Sequence, residues 1–142
     1  MRKPITTAAH GVLDYLTVGT FLTLPRLLGA SQRFTNAVSA IALGKLCYTL
    51  LTRHELGVVK AIPMKAHLAL DCAGGAALAA LPFVTDEDEA TTAAFVALGL
   101  FDIAAAPLTQ TTPSFDQLEP VGRDGEPYGE LEPEATATAA SA

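Results

Sequence analysis

Two stretches of this chain, His10 to Pro25 (HGVLDYLTVGTFLTLP) and His67 to Pro82 (HLALDCAGGAALAALP), carry the same landmarks at one constant offset. His10, Asp14, Leu24 and Pro25 correspond to His67, Asp71, Leu81 and Pro82. Self-similarity on this scale reads as a tandem repeat. Each copy sets a histidine and an aspartate one helical turn apart, hence on one face, at the start of a long apolar run.

Apolar runs at about Ala8 to Leu28, Phe34 to Leu51, Ala66 to Val84 and Thr91 to Leu108 are each roughly 18 to 21 residues, or roughly 27 to 32 Å as helix, enough to cross the hydrocarbon layer of a bilayer. Half of the residues are hydrophobic, 17% are charged, and the mean hydropathy is +0.34. Average soluble domains carry about a quarter charged residues. Four such runs in succession without a charged outer stripe leave no face for water. The expected fold is therefore all-α: a four-transmembrane-helix bundle over 1–109, made of two tandem helix-pair repeats at about 5–54 and 62–109, followed by a disordered acidic tail over 110–142. Ala42-Leu43-Gly44 resembles Ala97-Leu98-Gly99, and Leu51-Thr52 matches Leu108-Thr109, with two extra residues in the second copy. A pair has an even number of crossings, so both copies insert the same way round and their pseudo-symmetry axis runs along the membrane normal.

Turns fall between the runs. Leu28-Gly29-Ala30-Ser31 ends the first, Pro63 precedes the third, and Pro82 with Asp86-Glu87-Asp88-Glu89 ends the third and opens the fourth. Met1 to Ala30 has a basic start, but Asp14 inside its apolar core and Leu28 before the would-be cut argue for a retained helix rather than a signal peptide. Cys47 and Cys72 lie inside apolar runs and read as reduced packing residues. Gln110 onward is rich in Pro, Glu, Thr and Ala, with almost nothing to bury. Arg2, Lys3, Arg53, Lys60, Lys65 and Arg123 fall on one side, against Arg26 and Arg33 on the other, which puts both termini and the 52–65 loop in the cytoplasm. The basic residues of that loop suit anionic lipid headgroups. No Lys/Arg cluster is dense enough for a nucleic-acid surface, so nucleic acid is excluded as a partner; association with further copies of the chain stays open.

Asp14 and Asp71 lie about five to six residues inside the starts of the first and third helices, and Lys45 and Asp102 about as far from the ends of the second and fourth, so all four share one level roughly 9 Å deep. An ionised group there facing lipid costs about 2 to 3 kcal/mol or more, so the four turn inward and meet. Lys45 is the single ammonium among three carboxylates, and at least one aspartate is expected to carry a proton near neutral pH. His10 and His67 are the natural partners of Asp14 and Asp71 on their own helices.

Three functions suit such a level. It fixes helix rotation and register as a structural network; it serves a proton- or ion-coupled transporter or channel, with Thr17, Thr20, Thr23, Thr35 and Ser39 as the polar seam beyond it; or His10 and His67 bind haem or, with Asp14 and Asp71, a metal. HxxxD spacing has low specificity, and no catalytic motif, cofactor or metal is assigned from it. Ala40 with Gly44, and Gly75 with Ala79, spaced four apart, suit close helix contacts in lipid.

With HGVLDYLT, LLTRHELG and IPMKAHLALD on view, residues 5–109 resemble the SPW-repeat family of small bacterial integral membrane proteins. The resemblance implies tandem two-helix units in the bacterial cytoplasmic membrane and no catalytic residue. The positions of the family's Ser-Pro-Trp signature read Leu24-Pro25-Arg26 and Leu81-Pro82-Phe83 here, and the chain has no tryptophan. A non-enzymatic, multi-pass membrane module is the leading expectation.

Overall fold

A computed structural model describes residues 3–117. Four helices fill most of them: α1 (Thr7–Leu27), α2 (Gln32–Leu51), α3 (Met64–Thr85) and α4 (Glu89–Leu108), followed by one 3-10 turn at Ser114–Asp116. Among the described residues there is no named strand, only the isolated bridges Ile5 to Thr109 and Thr52 to Ile62. Arg2, Arg123 and the tail from 118 onward lie outside the described residues.

Each helix starts where its sequence offers a cap. The side chains of Thr6, Ser31 and Asp88 accept the free amides of Ala9, Phe34 and Ala90/Thr91, and Pro63 precedes α3 with a preset φ of −67°. Helices α1 and α3 end alike. Gly29 takes φ +70° after α1, and the Ala30 amide donates to the Pro25 carbonyl at 2.9 Å. Asp86 takes φ 55° after α3, and the Glu87 amide donates to the Pro82 carbonyl at 3.0 Å. Pro82 lies inside the last turn of α3, where it forgoes the bond that an N–H would make to the Leu78 carbonyl, and its own carbonyl accepts the amides of the stop at Asp86 and Glu87. The two-residue insertion is also absent. Helices α2 and α4 are 20 residues each, and Lys45 leads to Asp102 by the step that carries His10 to His67.

Helices α1 and α2 pack as one hairpin, α3 and α4 as another, and α2 lies against α3. The closest approach is between α3 and α4: a Cβ on Gly75 would stand 2.6 Å from the Gly99 carbonyl oxygen, and one on Gly99 would stand 2.9 Å from Ala79 Cβ. The Gly75/Ala79 pair is thus a helix contact. Ala40 and Gly44 are not: both are exposed, because the buried face of α2 is Phe34, Thr35, Val38, Ala42, Lys45 and Thr49.

The interior has two layers. Toward the two short turns it is apolar, built from Phe21, Phe34, Val38, Ala42, Leu78 and Phe95, with Phe34 and Phe95 edge to face at 4.8 Å between centroids. Toward the chain start it is polar and charged. The outer surface is the reverse, with Val12, Leu16, Leu43, Leu70, Phe83, Leu100 and Phe101 exposed. Helices α2, α3 and α4 are long and apolar enough to cross a membrane. Apolar side chains outside and charged ones inside are what a lipid-facing bundle requires.

One end of the bundle collects the chain start, the 52–63 loop and residues 109–117. The Gln110 amide donates to the Ile5 carbonyl at 2.8 Å, and the Arg53 amide donates to the Ile62 carbonyl at 2.8 Å. The tail is therefore placed at least to Gln117, not loose from Gln110. At the other end the Ser31 amide donates to Glu87 Oε2 at 3.0 Å, joining the two short turns.

Candidate functional site

Each helix sends one charged side chain to a single buried point. Lys45 Nζ of α2 lies 3.0 Å from Asp14 Oδ1 of α1, 2.5 Å from Asp71 Oδ1 of α3 and 3.5 Å from Asp102 Oδ2 of α4. All four residues are buried, with Asp102 the most exposed at 7%. Tyr48, one turn beyond Lys45, donates its hydroxyl to Asp71 Oδ1 at 2.7 Å. Lys45 and Tyr48 thus occupy the Oδ1 side of the site and leave Oδ2 of Asp14 and Asp71 turned toward the histidines.

The histidines pair across the bundle more closely than along their own helices. His10 Nε2 is 2.9 Å from Asp71 Oδ2 but 3.6 Å from Asp14 Oδ1, and His67 Nε2 is 2.9 Å from Asp14 Oδ2 and 3.1 Å from Asp71 Oδ2. The expected same-helix pairing is therefore secondary for His10 and shared for His67. Residues four apart on a helix point the same way, whereas a carboxylate on a facing helix can meet the ring end on.

Two threonines decide the ring tautomers. The Thr109 amide bonds the Ala106 carbonyl, so at the end of α4 the Ala105 carbonyl is left to the Thr109 hydroxyl, which donates to it at 2.8 Å. With its only proton used, Thr109 Oγ1 accepts at 2.9 Å from His10 Nδ1–H. The same holds at the end of α2: the Thr52 hydroxyl donates to the Tyr48 carbonyl at 2.6 Å, and its oxygen accepts from His67 Nδ1–H at 2.8 Å. Both Nε2 atoms consequently face carboxylate oxygens. His67 Nε2 and Asp14 Oδ2 are buried without an aligned hydrogen bond despite their short separation.

This geometry bears unequally on the functions considered from sequence. Thr17, Thr20, Thr23 and Ser39 donate to carbonyls of their own helix at 2.7 to 2.9 Å, so they build no polar seam beyond the site. Haem does not fit: the rings of His10 and His67 meet edge to face at 5.3 Å, with Asp14 and Asp71 rather than a flat slot between them.

The 52–63 loop brings residues that spacing alone did not single out as a site. His54 is fully buried; its Nδ1 accepts the Leu56 amide at 3.1 Å and its Nε2–H donates to the Thr49 carbonyl at 3.1 Å, while burial pushes the imidazole below its ordinary pKa. A Cβ on Gly11 would fall 2.8 Å from the His54 ring, so α1 needs glycine there. Glu55 accepts from the Thr7 hydroxyl at 2.7 Å and from the Ser114 amide and hydroxyl at 2.8 Å each. Burial pushes Glu55 up, but these donors outweigh it and hold the carboxyl at about 2. Arg53 makes a two-pronged contact with Asp116 at 2.7 and 3.1 Å, and Lys60 donates to the His54 carbonyl at 3.0 Å beneath Phe115. Arg53 and Lys60, though exposed, thus each have a partner within the chain, and Lys65 is exposed as well.

No protein-family model matches the chain, and no curated protein or solved structure matches it.

Proposed function

We propose that this chain is a four-span membrane protein built from two helix-pair units, in which the Asp14, Lys45, Asp71, Asp102, His10 and His67 cluster acts as a non-enzymatic clamp on the helices. The observation that carries the reading is that one ammonium, on α2, meets one carboxylate from each of the other three helices. Such a knot opposes rotation or sliding of any helix, since each would bare a charge to lipid. Helix α1, which carries His10 and Asp14 in its first half, spans as the counterpart of α3 in the other hairpin. In support of paired units, helix starts, stops, both bridges, both threonine contacts and both crossed His to Asp contacts recur at the offset that relates His10 to His67. Likeness of HGVLDYLT, LLTRHELG and IPMKAHLALD to the SPW-repeat family supports a bacterial cytoplasmic membrane. Lys3, Arg53, Lys60 and Lys65 at one end against Arg26 and Arg33 at the other support a cytoplasmic N-terminus and 52–63 loop. If no other cation is present, each Nε2 to carboxylate contact holds one proton, which brings the cluster to zero net charge.

The test compares stability with transport. Lys45→Ala and Asp71→Asn are expected to lower the unfolding temperature in detergent, while purified wild-type protein in liposomes gives no pH-driven flux. Robust flux abolished by either substitution would replace the clamp with a proton pathway.

A further inference from the structure

Four buried lone-pair atoms converge from α1 and α3: Nε2 of His10 and His67 and one carboxylate oxygen each of Asp14 and Asp71, all within 4.8 Å of one another. We propose that these four atoms form a binding site for one divalent first-row metal ion of the Zn²⁺ or Fe²⁺ class. The inference goes beyond the clamp, since a clamp needs only the charge pairs.

Three independent features point to a metal. The first is distance. A tetrahedral ion with bonds of about 2.0 to 2.1 Å separates its ligand atoms by about 3.3 to 3.4 Å; the His Nε2 to Asp Oδ2 contacts here run from 2.9 to 3.1 Å, and all four ligand atoms lie within 4.8 Å of one another. An ion entering between them parts these close contacts by a few tenths of an ångström.

The second is orientation. Metal-bound histidines donate the other ring N–H to an outer oxygen, which fixes the tautomer. Thr109 and Thr52 do this for His10 and His67, so each Nε2 offers its lone pair inward. Two of the four atoms, His67 Nε2 and Asp14 Oδ2, are among the three buried side-chain atoms without an aligned hydrogen bond in the described residues, as expected of atoms aimed at a common centre rather than at each other. Lys45 and Tyr48 hold Oδ1 of Asp71, and Lys45 holds Oδ1 of Asp14, in the manner of an outer shell.

The third is charge. With neutral imidazoles, Lys45 and a divalent ion carry three positive charges against the three carboxylates of Asp14, Asp71 and Asp102. A monovalent ion leaves the buried cluster negative and a trivalent one leaves it positive. On binding, the ion enters and the two protons of the Nε2 to carboxylate contacts leave to solvent, so the exchange is electroneutral. Imidazole with carboxylate disfavours Mg²⁺ and Ca²⁺, and the absence of thiolate disfavours Cu⁺; Cys72, beside Asp71, is not among the converging ligands.

The experiment uses the full chain in detergent, stripped with chelator and titrated with Zn²⁺ and Co²⁺. Wild-type protein is expected to retain one Zn²⁺ per chain by elemental analysis and to unfold at a higher temperature with Zn²⁺ than with Mg²⁺. Its Co²⁺ form is expected to show the visible bands of a four-coordinate site, and Cys47→Ser with Cys72→Ser is expected to leave all three readouts unchanged. His10→Gln with His67→Gln should abolish stoichiometric retention. Should that pair fail to fold, Thr52→Val with Thr109→Val, which keeps every ligand, is expected to weaken binding by about 10- to 100-fold. The proposal is overturned if wild-type protein retains no Zn²⁺ and gives no Co²⁺ bands, or if binding survives loss of both histidines. Lys45 to Asp71 energetic coupling without metal retention would refute the metal site alone; metal retention without that coupling would refute the clamp alone.

Discussion

At the scale of single residues, the hydrogen-bond bookkeeping around the histidines makes unequal demands on chemically similar side chains. Thr52→Val or Thr109→Val removes the acceptor of a buried ring N–H and the donor to a helix-end carbonyl, and each is expected to cost about 1 to 3 kcal/mol in unfolding experiments. Thr20→Val and Thr23→Val, whose hydroxyls serve only their own helix at the surface, are expected to stay within about 0.5 kcal/mol of wild type. Glu55 carries a pH dependence with a definite sign. Its folded pKa of about 2 is below the ordinary 4.5, so its contribution is present above about pH 4.5 and is lost as the pH falls toward 2. Protection of the Ser114 amide from exchange, relative to its intrinsic rate at each pH, is therefore expected to fall over that window in wild type and to be lost already at neutral pH in Glu55→Leu. The six ionisable cluster residues could be named from spacing, because an apolar run makes each charge conspicuous. Tyr48, His54, Glu55 and the two threonines as ring acceptors could not, since their roles depend on which helix ends come together. One signal was present: Thr52 and Thr109 stand at the offset that relates the two histidines.

At the scale of helices, the four apolar runs locate the elements to within about two residues, and the stop between α3 and α4 falls in the acidic stretch after Pro82. Helix α3 continues through Pro82 to Thr85 and stops at the left-handed Asp86, where the Asp86 and Glu87 amides donate to the Pro82 carbonyl. Small-residue spacing was ambiguous, because four-residue periodicity marks a face without saying whether that face meets a helix or lipid. Gly75 and Gly44 separate the cases. Gly75→Ala drives a methyl group to 2.6 Å from the Gly99 carbonyl and is expected to destabilise by about 1 to 3 kcal/mol, whereas Gly44→Ala meets nothing within 4 Å and is expected to be neutral or to gain up to about 1 kcal/mol from helix propensity. Unfolding of both variants in the same detergent checks the contrast.

At the scale of the whole molecule, an apolar exterior surrounds a layer of aromatic packing and a layer of charge. Composition and run length make the apolar exterior legible, and the depth count puts the charges at one level. What a linear sequence does not carry is the crossing of partners, in which α1 supplies a histidine to the carboxylate of α3 and α3 supplies one to the carboxylate of α1. That crossing makes the two hairpins a single unit. A double-mutant cycle with Lys45→Met and Asp71→Leu, read by unfolding in detergent, tests this most directly. Either single substitution is expected to cost about 3 to 5 kcal/mol by leaving the buried cluster with an uncompensated charge, and the double variant much less than the sum, with a coupling of about 2 kcal/mol or more. Costs that simply add, to within about 0.5 kcal/mol, would contradict a shared buried charge cluster as the joint between the helix pairs.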